Sequence, residues 1–373
     1  METILSRLRL ALLMIGLPLL PPAGNAAAAE PPAIRPSAGP LPAGAGFAFE
    51  RRTEDTRQSL SGVACPAIAA APRLCLAVFD EGGEARYLTI DDAAIRPNPK
   101  RVVLRPGKVE LDGEAAATDG KFYYIAGSHS AKRGDCEANP QSRHLIRFMI
   151  DPATGRGKED ATGKLAGFAD TGALWTLMAG LPGLKDHVGD GMCLGTEPPK
   201  KKPELRGRRG VNIEGLAIRD GRLFIGFRGP ASNGTAKILS IDAEALFAGG
   251  DAAPKLGTIA VGQGRAVRDL LAVSDGILVL AGPDDDDKNE NRGWVVLRWD
   301  GKDAGDATVQ PTPLAALDLS GVPLRNCSET IKRKDIKPEA LAVLDDKPDQ
   351  PYQAVIFSDG LCDGGALRFS IPR

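Results

Sequence analysis

The chain has 373 residues, a net charge of −1 and nearly equal numbers of basic and acidic side chains. That balance excludes a global affinity for nucleic acid or for an anionic membrane surface. The length suits one large repetitive all-β body.

At the N-terminus, Arg7 and Arg9 precede an apolar run from Leu10 to Leu20 and then an Ala-rich tract. This pattern predicts a secretory signal over residues 1–29, and hence a periplasmic or secreted protein. The run is too short to span a bilayer, Pro18 interrupts it, and no later segment approaches membrane length, so no transmembrane segment is expected. Residues 1–29 carry Glu2, Arg7 and Arg9, so the remainder has a net charge of −2. Residues 30–46 are rich in Pro, Ala and Gly and read as a linker; residues 47–373 read as a single domain, expected to be monomeric. An even set of six cysteines in an exported chain favours disulfides, and no C-x-x-C is present. Cys65 and Cys75 are the natural local pair. Cys136–Cys193 with Cys327–Cys362 is then one of several arrangements left open for the other four.

Next comes a repeated unit. The stretches "SGVACPAIAAAPRLCLAVFD", "GEAAATDGKFYYIAGSHS", "NIEGLAIRDGRLFIGFRGP", "VRDLLAVSDGILVLAGPD" and "KPEALAVLDDKPDQPYQAVIFSDG" share one grammar. A polar or acidic residue opens a short aliphatic run, a turn follows, and a more apolar run ends near Gly. Asp119-Gly120, Asp220-Gly221 and Asp275-Gly276 are hairpin signals, because a type I′ turn needs positive φ at both central residues. A third strand follows each hairpin, and a fourth follows in several copies, such as "KRVVLRP" and "KLGTIAVG". Four antiparallel strands repeated about an axis predict an all-β fold, a β-propeller, with five blades and six as the alternative. The copies begin near Ser61, Glu114, Glu214, Asp269 and Glu339. The last stops after its third strand, and "GFAFERR" is expected to supply its outer strand and close the ring. A helical excursion is expected at about 171–184, and a second short one at "DAEALFAGG".

The inner strand of each blade lines a central channel, so the repeat brings Glu114, Glu214, Asp269 and Glu339 to its mouth. Converging carboxylates repel one another unless a cation, an arginine or protonation compensates. A hard divalent ion, Ca²⁺ or another, held by Glu114, Glu214, Asp269 and Asn212 is one solution. The alternative is that each acid caps backbone amides or pairs with Arg228, Arg265 or Arg268. Arg228 and Asp359, at the ends of the second strands, and Glu339, at the opening of an inner strand, are candidate ligand-binding residues. Ser128 and His129 are candidate catalytic residues, with His129 as general base. Two charge runs, "PDDDDKNENRG" (283–293) and the basic loop 199–209, read first as solvated loops. The second could also touch a polyanion. No Walker loop, H-E-x-x-H or dinucleotide fingerprint occurs, so no nucleotide cofactor is expected.

The stretches "NIEGLAIRDGRLFIGFRGP", "YIAGSHS" and "EALAV" resemble an uncharacterised family of exported bacterial proteins, a domain of unknown function to which no activity is attached. More distantly, the strand-opening Glu-Gly is similar to that of the senescence-marker/gluconolactonase propellers and the phytase-like esterase propellers. The likeness to the former implies a metal-ligand role for Glu214, although this chain has Glu-Gly-Leu where those enzymes have Glu-Gly-Pro. The expected function is therefore binding of a small ligand or divalent cation at an acidic channel mouth. The alternatives are a metal-dependent hydrolase of an ester, lactone or phosphoester, and an envelope-associated scaffold.

Overall fold

A computed structural model describes residues 30–67, 72–107, 109–302, 307–327 and 336–373. The expected signal sequence lies outside the described residues. Pro31–Arg373 forms one compact unit, and it is a five-bladed β-propeller. Blade one is Leu60–Ala64, Arg73–Phe79, Glu84–Ile90 and Ile95–Val103. Blade two is Gly113–Thr118, Phe122–Gly127, Leu145–Met149 and Ala169–Thr171. Blade three is Asn212–Arg219, Arg222–Ser232, Thr235–Asp242 and Lys255–Ala260, with Thr308–Val309 parallel to the last. Blade four is Arg265–Val273, Gly276–Pro283, Trp294–Trp299 and Thr312–Leu317, with Ala33–Ile34 parallel to the last. Blade five is Lys337–Asp345, Tyr352–Asp359 and Leu367–Ile371.

Blade five is completed by the N-terminal segment, but not by "GFAFERR". Ala38 bridges Arg368, and the amides of Ser37 and Leu41 donate to Arg368 and Ala366. Phe47 instead enters the core between blades five and one, beside Leu41, Leu60, Phe79 and Phe357. Residues 30–46, expected as a linker, therefore lie within the propeller. Pro-rich sequence suits this edge position, where a strand donates few backbone hydrogen bonds.

The alternation of the strands places apolar faces between blades, and each junction encloses one cluster. Leu76 and Tyr87 of blade one meet Tyr123 and Phe148 of blade two. Leu145 meets Ile213 and Leu216, Phe224 meets Val267 and Trp299, and Leu280 meets Ile356 and Phe369.

Both helical excursions are present, at Ala173–Gly180 and Ala243–Ala248. The second is capped by Asp242, which accepts the Ala245 amide, and it ends at Gly249 with φ 73°. Of the three Asp-Gly turns, Asp220-Gly221 has positive φ at both residues (50° and 75°). At Asp119-Gly120 only the glycine does, because the Asp119 carboxylate accepts the amides of Lys121 and Phe122 and forms a side-chain turn instead. Asp275-Gly276 likewise has positive φ only at glycine. The disulfides are Cys65–Cys75, Cys136–Cys193 and Cys327–Cys362.

Candidate functional site

The site is built by one device repeated five times. In the first strand of every blade the pairing register skips a residue. Ile213 pairs with Phe227, and the next pair is Gly215 with Gly226. The same skip falls at Ser61 in blade one, Glu114 in blade two, Arg268 in blade four and Glu339 in blade five. A β-bulge of this kind leaves two residues facing one and re-aims the extra side chain. Here the extra residues meet at the mouth of the channel. The glycine after the bulge in blade three has a separate reason. A Cβ on Gly215 would lie 2.9 Å from Leu270 and Val267 of blade four, so only glycine lets the inner strands approach.

The five bulged residues are thus one serine, three glutamates and one arginine, and their charges interlock. Arg268 is 1% exposed. Its Nε lies 3.0 Å from Glu214 Oε2, and its Nη2 donates to Glu339 Oε1. The Ser61 hydroxyl donates to Glu339 Oε2 at 3.3 Å. Arg228, from the second strand of blade three, donates to Glu214 Oε1 at 3.0 Å and reaches Asp285 Oδ1 at 3.1 Å. Asp285 also accepts from Arg133 at 2.6 Å and from the Asn212 amide at 3.2 Å, and that amide donates to Glu214 at 3.2 Å as well. A continuous chain of ion pairs and hydrogen bonds therefore runs from Arg133 to Ser61 and touches every blade.

Glu114 is the exception, with no hydrogen-bond or ion-pair partner among the described residues. One oxygen each of Glu114, Glu214 and Glu339 lie within 4.8 Å of one another. Burial, then repulsion from Glu214, Asp112, Asp80 and Glu339, holds the Glu114 carboxyl well above the usual range. Above the bulges is a cavity of about 410 Å³ lined by seven carboxylates and four basic side chains. Burial, opposed by Arg268 and reinforced by Asp359 and Glu214, pushes Glu339 up to about 7. Asp112 rises to about 6 through burial, despite a hydrogen bond from Ser128. Burial of its carboxyl, then repulsion from Asp359, raises Asp80 well above the usual value.

These directions determine how stability depends on pH. A carboxyl whose folded pKa exceeds its unfolded one binds more protons when folded, so its contribution is complete below about 4.5 and is lost as pH rises through the folded value. For Glu339 the window runs from 4.5 to about 7. Asp285, lowered by Arg133 and Arg228 against the effect of its burial, acts oppositely, but only in more acidic solution. The melting temperature is therefore expected to fall between about pH 5 and pH 8, as measured by calorimetry. Glu339→Gln should flatten the slope. A melting temperature that is constant or rising across that window contradicts the assignment.

Of the residues singled out in the sequence, Glu114, Glu214, Glu339, Asn212, Arg228 and Asp359 line the cavity together. Asp269 does not join them. Its two oxygens accept the amides of Leu270 and Leu341, both at 2.7 Å, so it ties blade four to blade five. The bulge aims its neighbour Arg268 inward instead. Nor do Ser128 and His129 form a catalytic pair. The His129 ring is fully buried with Nδ1 on the Gly127 carbonyl at 2.9 Å, and burial lowers it to about 4. The Ser128 hydroxyl donates to Asp112.

Reading the sequence did not single out Asp80, Asp112, Arg133 and Asp285. For Asp80 a signal existed, since "AVFD" ends the second strand of blade one as "IFSD" ends that of blade five. The two charge runs also prove to be partners. Thr196 donates to Asp286 through its amide (2.5 Å) and hydroxyl (2.7 Å), and Lys200 lies 3.4 Å from Asp287. Together with Cys136–Cys193, these contacts fasten the rim loops around the cavity.

Residues 206–360, covering blades three and four and most of blade five, match the model of a family described as a protein of unknown function, DUF3616. No curated protein matches the chain. Among solved structures, the chain is similar to a GH43 β-1,3-galactosidase with galactodeoxynojirimycin, at 9% identity and TM-score 0.42, covering 83% of this chain and 89% of that one. It is also similar to an α-L-arabinanase mutant from Cellvibrio cellulosa, at 11% identity and TM-score 0.41, covering 83% and 90%. A third is a putative 6-phosphogluconolactonase from Bacteroides fragilis, at 11% identity and TM-score 0.31, covering 83% and 70%.

Proposed function

We propose that the cavity at the channel mouth binds a small cationic ligand, anchored by Glu114, in a protein that works outside the cytoplasm. The observation that carries this reading is the unpaired Glu114 carboxylate, set against Glu214 and Glu339 at the floor of a polar cavity. Arg268 and Arg228 already balance Glu214 and Glu339, so of these three glutamates Glu114 carries the unmet charge. A bound cation removes the repulsion that now favours protonation. The volume, about 410 Å³, is that of a small-molecule pocket. It exceeds what a bare ion needs. Three disulfides accord with an oxidising compartment, as does the signal-like N-terminal sequence.

A divalent ion such as Ca²⁺ would have hard oxygen ligands available on Glu114, Glu339 and Asn212, which suits its chemistry. The two guanidiniums beside Glu214 oppose it. The test is calorimetric titration of the purified chain with Ca²⁺, Mn²⁺ and Zn²⁺ and, separately, with primary and quaternary amines. Binding of an amine, weakened at least about tenfold (~1.4 kcal/mol) by Glu114→Gln, is the expected result. Binding of none of these cations, or binding indifferent to Glu114→Gln, refutes it.

A hydrolytic reading rests on one observation. Glu339, pushed up to about 7, is suited to donate a proton at neutral pH, with the neighbouring Glu114 as a second carboxyl. Turnover of an ester, lactone or phosphoester, lost in Glu339→Gln and bell-shaped in pH, would support it.

A further inference from the structure

We propose that Asp80 and Asp359 form a second cation subsite in the same cavity, so that its ligand carries two separated positive charges, as an aliphatic diamine or polyamine does. This inference rests on the cation-binding reading of the cavity and adds to it the ligand's class.

The charge in the cavity is matched unevenly. On the side of blades three and four, Arg133, Arg228 and Arg268 are each bonded to an acid. On the side of blades five and one, Asp80 has no such partner among the described residues, and Asp359 meets only Lys337 there. Asp80 directly follows the second strand of blade one and Asp359 ends that of blade five, which are adjacent blades, and both line the cavity. Oδ1 of Asp80 and Oδ1 of Asp359 are buried with no hydrogen-bond partner among the described residues, and so is the Ser358 hydroxyl. Asp359 is only 8% exposed, so its free oxygen is not compensated by water at an open surface. Among the described residues the cation beside it is Lys337, whose Nζ lies 3.4 Å from the other oxygen on a side chain that is 44% exposed.

Leaving a buried carboxylate unmatched is costly. A monocation on Glu114 leaves the Asp80–Asp359 wall in that state. A divalent metal concentrates its charge at one point, whereas the unmatched oxygens belong to three blades: Glu114 to two, Asp80 to one and Asp359 to five. A short chain with an ammonium group at each end answers both needs, since each –NH₃⁺ donates three hydrogen bonds. The cavity has room for such a chain.

The experiment is calorimetric titration of the full chain with butylamine, putrescine, spermidine and Ca²⁺, with circular dichroism confirming that each variant is folded. Putrescine is expected to bind at least about tenfold more tightly than butylamine. Asp80→Asn and Asp359→Asn should each reduce putrescine to the affinity of butylamine, and Glu114→Gln should weaken both amines. Equal affinity for the two amines, with Asp80→Asn without effect on putrescine, overturns the second subsite and leaves the cation site at Glu114 standing. Failure of every amine to bind, or binding of Ca²⁺ alone, overturns the second subsite; failure of Ca²⁺ as well overturns the cation site with it. Proton release on putrescine binding, read from titrations in two buffers of different ionisation enthalpy, gives a second check. Burial and the neighbouring Asp359 raise the Asp80 carboxyl above its usual range, so an ammonium bound there favours loss of its proton.

Discussion

Arg268→Met is expected to destabilise the protein by about 3–5 kcal/mol, the loss usual when one partner of a buried ion pair is removed. Arg268 is the fully buried cation between Glu214 and Glu339, and it also stacks over Trp294, with 5.3 Å from guanidinium to ring centre. Methionine fills similar volume without charge, so most of the effect should come from Glu339, left without a counter-ion, while Glu214 keeps Arg228. Combining the change with Glu339→Gln should therefore recover part of the loss, because the amide needs no counter-charge. Urea unfolding of the wild type, both single variants and the double variant closes the cycle. Purely additive effects would show that Arg268 acts through packing and not through charge. Wild-type stability in Arg268→Met would remove the ion-pair chain from any structural role.

Deleting residues 30–41 should be nearly as damaging and should also change the association state. The segment donates two backbone hydrogen bonds to the last strand and accepts one from Arg368. Leu41 is 4% exposed in the core between blades five and one. Burial of a leucine contributes roughly 1.5–3 kcal/mol, and each hydrogen bond about 1 kcal/mol. A loss of about 4 kcal/mol or more is expected on unfolding in urea. Leu367–Ile371 then becomes an open edge, a template for pairing with another chain. Light scattering should show oligomers or aggregates at concentrations where the intact protein scatters as a single species. A truncated chain of unchanged stability and size would mean that the ring closes without this segment.

Neither effect could have been assigned in full from the chain alone, and the reasons differ. The outer strand of blade five was expected from the N-terminal region, but at "GFAFERR". That stretch is the more strand-like of the two, with Phe47 and Phe49 in alternation, whereas the segment that pairs contains Pro40 and Gly39. A sequence pattern reports apolar periodicity. Here the periodic residues were needed in the core, and the closing pairs fell to a stretch with no pattern to report.

Asp269 teaches the complementary lesson. Counting back from the turn aligns Asp269 with Glu214, because both stand six residues before an aspartate. The bulge in blade four lies one position earlier, at Arg268. A shift of one residue in a strand exchanges inward for outward, and so an expected acid became an arginine. With that single exchange, four converging acids became three with their own counter-ion.

What the sequence determined by itself was the repeat: five copies of an opening polar residue, an aliphatic run, a turn and a second strand. From these followed the propeller, the five blades and the convergence of Glu114, Glu214 and Glu339, while of the disulfides only the local pair Cys65–Cys75 was legible. Such features are local, recurring at fixed spacing, and local chemistry suffices to read them. What only the tertiary structure decided was which charges face which. Arg133, Arg228, Arg268 and Asp285 lie on different strands and loops, and Glu114 is left unpaired only because the others are satisfied. Pairing across blades depends on bulge position and on distances of a few ångströms between residues far apart in the chain, and no periodicity in one dimension records those.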